Sequence, residues 1–329
     1  MPLFSNEERH QVGLCYKRNG QHKAILLGLE LIGPRMAKLA DQGLRLARNN
    51  QLSVYCQRGG MRSNSVAWLW RQLGLTVTVS DGGYKRYRQG VLEMFQTPLK
   101  LQLLSGSTGV GKTEILQQLA QTGEQVINLE QLAHHKGSAF GWIGEDEQPS
   151  SSQFENQLAE MISQLDPAQR IWVEAESRMI GRAVIPIEFW KQMERSPRIY
   201  LHRSPEERIQ RLCQDYQSAS AEDLKTALGR IQKRLGRQRY QQALEALEMN
   251  DRHLIVQSVL KYYDRQYEYS RQQHQQLFCG EIDCSSTSTF SICSILKQLP
   301  YAMPDNPSRS QQTGAETDGG FPSTARRPQ

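Results

Sequence analysis

Leu99-Lys100-Leu101-Gln102-Leu103-Leu104-Ser105-Gly106-Ser107-Thr108-Gly109-Val110-Gly111-Lys112-Thr113 is the stretch that decides how this chain folds. Residues 99–104 read as a strand, Gly106 to Thr113 complete the phosphate-binding pattern G-x-x-x-x-G-K-[ST], and Thr113 to Ala120 have helical periodicity. In that order the backbone N–H groups of Gly109 to Thr113 wrap an anion. Lys112 neutralises its terminal oxygens and Thr113 holds magnesium. The bland alternative is a glycine turn with no ligand. Further strands are expected at 125–130, 170–174, 198–201 and 277–284, with mostly helix from 205 to 274. This makes a P-loop α/β domain with a helical C-terminal part, in which Glu174, at a strand end, and Glu176 are the candidate second magnesium partners.

Upstream lies a second anion loop, Cys56-Gln57-Arg58-Gly59-Gly60-Met61-Arg62-Ser63. A helix is expected at 24–48, a strand at 52–55 running into Cys56, a helix at 63–73, and a strand at 75–79 before the turn Asp81-Gly82-Gly83. Strand, loop, helix, strand is a βαβ unit and predicts a parallel sheet. A thiol at a helix N-terminus beside Arg58 and Arg62 is drawn toward thiolate, and Gly59-Gly60 permit positive φ. Such a site suits a cysteine that carries sulfur or selenium. A cysteine phosphatase loop and a buried strand-end cysteine are the other readings.

The 329 residues allow about two domains. A hydrophobic share of 38% and a mean hydropathy of -0.61 fit a soluble chain, with no apolar run of membrane length and no signal peptide at Met1 to Arg9. Six scattered cysteines fit reduced thiols, so a cytoplasmic location is expected. A net charge of +6 makes a polyanionic partner plausible. Arg230, Lys233, Arg234 and Arg237 recur at helical spacing on one face, either a track for a nucleic-acid backbone or a solvated helix face.

Taken together, these residues resemble the tRNA 2-selenouridine synthase family, in which a rhodanese-like domain is fused to a P-loop domain. The resemblance also rests on Glu7-Glu8-Arg9, Val12-Gly13, Tyr16-Lys17, Ala24 to Gly28, and Asp81-Gly82-Gly83-Tyr84. Downstream it continues through His135-Lys136-Gly137-Ser138-Ala139-Phe140-Gly141, Gln148-Pro149, Phe154-Glu155-Asn156, Glu174-Ala175-Glu176-Ser177-Arg178 and Ile180-Gly181. It covers about residues 3 to 290. Asn128 departs from the family's usual acid and Lys136 from its usual arginine, and the chain starts after the strand with which a rhodanese domain normally opens. An N-terminally incomplete rhodanese-like domain is therefore expected over 1–95, through a mis-called start or a truncation, then a P-loop domain over 96–300 and a disordered tail over 301–329.

The resemblance implies conversion of 2-thiouridine at the tRNA wobble position to 2-selenouridine. Geranyl diphosphate first alkylates the thiocarbonyl sulfur, and selenium from selenophosphate then displaces the geranyl thiol. Cys56, with Arg58 and Arg62, would carry selenium, and Gly106, Gly109, Gly111, Lys112 and Thr113 would hold the diphosphate. The partners implied are tRNA and a supply of selenophosphate, with magnesium and no tightly bound cofactor. Two other readings remain: a P-loop kinase or ATPase with a regulatory rhodanese module, and a truncated, inactive tRNA-binding protein. His134-His135 lack the spacing of a zinc site. Cys279, Cys284 and Cys293 read as core residues, and Tyr262, Tyr263, Tyr267 and Tyr269 as packing rather than base-stacking residues.

Overall fold

A computed structural model describes residues 2–301, and the chain divides into two compact units, Met1–Met94 and Phe95–Gln329. The expected tail beyond residue 301 lies outside the described residues. In the first unit Ser5 caps the helix Asn6–Asn19 reciprocally with Glu8, satisfying two end N–H groups. The single helix expected at 24–48 is instead two, Gln21–Ile32 and Met36–Leu46, around the turn Gly33–Arg35. Pro34 has no N–H to give to the ladder, and it breaks the helix there.

Strands β1 (Gln51–Val54) and β2 (Thr76–Val79) pair in parallel, Gln51 with Thr76 through Val54 with Val79, across the helix Met61–Gln72. Val66, Ala67 and Trp70 of that helix pack on Leu75 and Val77. The Trp70 indole donates to Leu39 O at 2.8 Å, and a Cβ on Gly43 would lie 2.2 Å from its nitrogen, so the neighbouring helix needs glycine there. The basic, aromatic run Tyr84 to Arg88 lies in the helix Gly83–Met94.

The second unit holds β3 (Lys100–Gly106), β4 (Gln125–Ile127), β5 (Arg170–Glu174), the hairpin β6 (Met179–Ile180) and β7 (Ala183–Val184), β8 (Arg198–His202) and β9 (Phe278–Asp283). The main sheet runs β4-β5-β3-β8-β9, and every neighbouring pair in it is parallel. β3 is central, and its Leu101, Leu103 and Leu104 are fully buried. The helix Lys112–Gln121 packs Ile115, Leu116 and Leu119 in one core with Trp172, Ile199 and Leu201. From β3 the chain builds one side of the sheet and then crosses to the other, so the P-loop opens at the carboxyl end of the strand where the order reverses.

The strand expected at 125–130 stops at Ile127, because Asn128 caps the short helix Leu129–Ala133 by accepting the Gln131 N–H at 2.9 Å. The C-terminal helices Ala221–Leu235, Arg237–Glu248 and Arg252–Gln273 pack around Leu228, Ile231, Ala243 and Ile255, and the helix Pro205–Asp215 packs Ile209 and Leu212 on Leu260. The basic residues do not share one helix face. Gly236, at φ 86°, ends the helix bearing Arg230, Lys233 and Arg234, and Arg237 opens the next. Among the described residues no helix is long and apolar enough to cross a membrane.

Candidate functional site

The first unit carries the cysteine loop. Cys56 follows β1, and its Sγ accepts the Gly60 N–H at 3.2 Å, with the Ser63 hydroxyl 3.3 Å away. Gly60 caps the helix Met61–Gln72, so the sulfur sits at a helix N-terminus as expected. The turn at Gly82-Gly83 closes on the loop. Tyr84 N donates to Cys56 O at 2.9 Å and Lys85 N to Gln57 O at 3.0 Å, and a Cβ on Gly83 would lie 2.1 Å from Cys56 O.

Burial pushes the Cys56 thiol up, but the Ser63 hydroxyl and the backbone N–H groups of Arg58, Ser63 and Gly60 outweigh it and bring it down from 9.0 to about 7. The charge of Arg58 and Arg62 is the cause expected from sequence; both side chains are exposed, and short-range donors do the lowering. Of the two glycines expected at positive φ, only Gly59 is there, at 64°.

In the second unit the P-loop glycines Gly106, Gly109 and Gly111 all have positive φ, at 153°, 81° and 99°. Lys112 is buried, with Nζ 3.2 Å from Gly106 O and 5.3 Å from the Tyr267 ring centroid. Burial works against its charge, but Tyr267, Glu176, Glu130 and Glu174 raise its affinity for the proton. Thr113 Oγ1 donates to Glu130 at 2.9 Å, and Glu130 N donates to Glu174 at 2.7 Å. Burial and the Glu130 charge push Glu174 up to about 8, and the same two causes raise Glu176. The fold thus gathers Lys112, Thr113, Glu174 and Glu176, and adds Glu130.

Sequence reasoning missed the residues that hold the loop's carbonyls outward. Arg203 Nε donates to Val110 O at 3.0 Å and buried Arg208 Nε to Thr108 O at 2.8 Å, which leaves the loop's amides for the anion. Arg211 pairs with Glu114 beside Gly111. The turn from His135 to Gly141 walls the site: Lys136 N bonds Gly141 O at 2.9 Å and Gly141 N bonds Ser138 O at 2.9 Å.

The P-loop opens into a cavity of about 280 Å³. A narrow apolar cavity of about 40 Å³ adjoins it and shares Thr108, Ser138, Leu212 and Tyr216. Its remaining wall is mainly Phe140, Leu224, Ile255, Val256, Val259 and Leu260. Magnesium takes one or two protein oxygens plus phosphate oxygens. Thr113 and the acids beside it offer such oxygens, and Glu174 Oε2 is buried with no partner among the described residues. No group of three or more His, Cys, Asp or Glu able to hold a metal occurs among the described residues.

Of the remaining expectations, Cys284 and Cys293 are buried but Cys279 is exposed, because it lies on the edge strand β9. Tyr262 is buried, Tyr263 accepts the Ala139 N–H at 2.9 Å, Tyr267 sits by Lys112, and Tyr269 is exposed.

Residues 99–291 match the family model described as the tRNA 2-selenouridine synthase AAA domain. Among curated proteins the chain is similar to the tRNA 2-selenouridine synthases of Shewanella denitrificans (34% identical over 85% of this chain and 86% of the relative) and Marinobacter nauticus (36%, 85% and 84%). That of Bordetella petrii is 34% identical over 85% of this chain and 84% of the relative.

Proposed function

Since the chain belongs to the tRNA 2-selenouridine synthase family, we propose that it converts 2-thiouridine at the tRNA wobble position to 2-selenouridine in two stages, one at each loop. In the first stage the thiocarbonyl sulfur attacks C1 of geranyl diphosphate. A C–S bond forms, the C–O bond breaks, and diphosphate leaves with the electron pair while the thiouracil N–H loses its proton. Lys112 and the amides of Gly109 to Thr113 take up the leaving group's charge. Magnesium, held by Thr113 with Glu130, Glu174 or Glu176, would add to that neutralisation.

In the second stage selenophosphate, held at Cys56 in the rhodanese-like unit, attacks C2 through selenium: a C–Se bond forms, the C–S bond breaks, the geranyl thiol departs with the electron pair and a proton, and water cleaves the P–Se bond to release phosphate. A thiocarbonyl is a poor leaving group, whereas its S-alkyl form leaves as a thiol, so alkylation must come first. Thiolate at neutral pH and inward-facing amides at Gly60 suit Cys56 to that role.

The observation that carries the reading is the apolar cavity against the phosphate loop. A ligand with a diphosphate head and a hydrocarbon tail matches both, and a nucleotide's polar base and sugar do not match the second. The cavity's narrowness means that a prenyl chain enters by parting flexible side chains such as Leu212 and Leu260.

The test incubates purified protein with an anticodon stem-loop RNA carrying 2-thiouridine, geranyl diphosphate and selenophosphate, followed by mass spectrometry of the nucleosides. 2-Selenouridine is expected. Nucleotide hydrolysis with no modified nucleoside would favour a kinase or ATPase instead.

A further inference from the structure

Residues of the His135–Gly141 turn also line a further cavity, of about 820 Å³. Ser138 lines this cavity, the P-loop cavity and the apolar cavity, and Tyr263 is shared with the apolar cavity as well. Three arginines and three acids face the cavity of about 820 Å³, but two of the acids are engaged: Glu145 with Lys136 at 3.1 Å and Glu147 with Arg182 at 3.8 Å. Arg234 has no ion pair among the described residues, and Arg230 stacks on the Trp142 ring at 4.8 Å.

The Trp142 indole N–H is buried and has no acceptor among the described residues. Gln148, by contrast, is consumed in bracing the wall: it donates to Ala133 O and Ile180 O and accepts from Arg182 N. Beyond these, and beside the third acid Asp146, the cavity is faced by the Trp142–Arg230 stack, whose indole N–H lacks an acceptor, and by Arg234. That set suits a nucleotide of single-stranded RNA, whose base stacks and whose phosphates need positive charge. The volume falls within the range of small-ligand sites and exceeds one nucleoside.

We propose that this cavity receives the target nucleotide of the RNA, its base against Trp142 and its flanking phosphates on Arg230 and Arg234, with the base edge turned toward Ser138. The inference rests on the RNA-modifying reading above. On this assignment the His135–Gly141 turn separates the nucleotide from the diphosphate and its tail, so that acceptor and donor meet at Ser138. A nucleotide paired in a duplex could not enter, so the base must be unstacked first.

The test is photo-crosslinking of the full chain to a stem-loop RNA with 4-thiouridine at the target position, with the crosslinked peptides mapped by mass spectrometry. Crosslinks within 135–148 or 230–234 are expected. In parallel, Trp142→Ala should weaken RNA binding by about 5- to 150-fold, the range for loss of one stacked base, and Trp142→Phe should recover most of it. Arg234→Gln should flatten the slope of log affinity against log salt by about one. RNA that binds and is modified but crosslinks elsewhere, or a Trp142→Ala protein with wild-type affinity, overturns the cavity assignment and leaves the reaction standing. A protein that binds no RNA overturns both.

Discussion

Ser63→Ala tests where the reactivity of Cys56 comes from. The Ser63 hydroxyl, 3.3 Å from Sγ, is the largest of the influences that bring the thiol from 9.0 to about 7. A hydrogen bond to an ionised group contributes about 1.5 kcal/mol or more, which is about one pKa unit. The variant's thiol should therefore titrate at about 8, and at pH 7 its thiolate fraction should fall from about half to about a tenth. Ser63 is buried but small, and its loss leaves the Gly60 N–H bond to sulfur in place. The assay is alkylation of Cys56 by iodoacetamide as a function of pH, followed on its own peptide because five other cysteines are present. Arg58→Gln and Arg62→Gln run beside it should keep the wild-type midpoint. An unchanged midpoint in Ser63→Ala, with a shift in the arginine variants, would return the effect to charge and refute the short-range account.

Gly137→Ala should be damaging: the residue has φ 68°, and a Cβ would lie 2.6 Å from Glu176 Oε2, so backbone strain alone costs about 1–2 kcal/mol, read as a lowered melting temperature. Glu174→Gln should change the pH dependence of stability. With Glu174 raised to about 8 by burial and by Glu130, the unfolded chain loses this proton first, so wild-type stability falls between the ordinary carboxylate range and pH 8. The glutamine variant should show a shallower fall in melting temperature across that window, and parallel curves would contradict the shift. Val256→Trp, filling the apolar cavity, should raise KM for geranyl diphosphate about tenfold or more while leaving inhibition by inorganic diphosphate unchanged, since only the tail needs that space.

The central strand and the P-loop are legible in the sequence because glycine, lysine and threonine at fixed spacing admit few backbone paths. The parallel β1–β2 pair is legible because turn residues bound two short strands, of which Thr76–Val79 is β-branched throughout. Glu130 is hidden as a partner of Thr113. The run from Gln125 to Glu130 reads as one strand, and only the Asn128 cap ends it and places Glu130 in a helix. Arg203 and Arg208 are hidden because arginines at a helix start are usually solvated, and nothing local says that these two turn inward onto the P-loop carbonyls. The basic stripe is shorter than its spacing suggests, since the helical count runs through Gly236, where a positive φ resets the helix axis. The three cavities that meet at Ser138 are built from residues more than a hundred positions apart, so no local pattern could show them.

The two-stage division of labour is tested most directly by comparing Lys112→Ala with Cys56→Ser on the same stem-loop RNA carrying 2-thiouridine, supplied with geranyl diphosphate and selenophosphate. Lys112→Ala removes the buried cation proposed to neutralise the departing diphosphate, so 2-thiouridine should remain and no intermediate should build up. Cys56→Ser leaves that cradle intact and removes the sulfur proposed to handle selenium, so the S-geranyl nucleoside should form and accumulate. Nucleoside mass spectrometry reads both. Production of 2-selenouridine at the wild-type rate by Cys56→Ser would contradict the account.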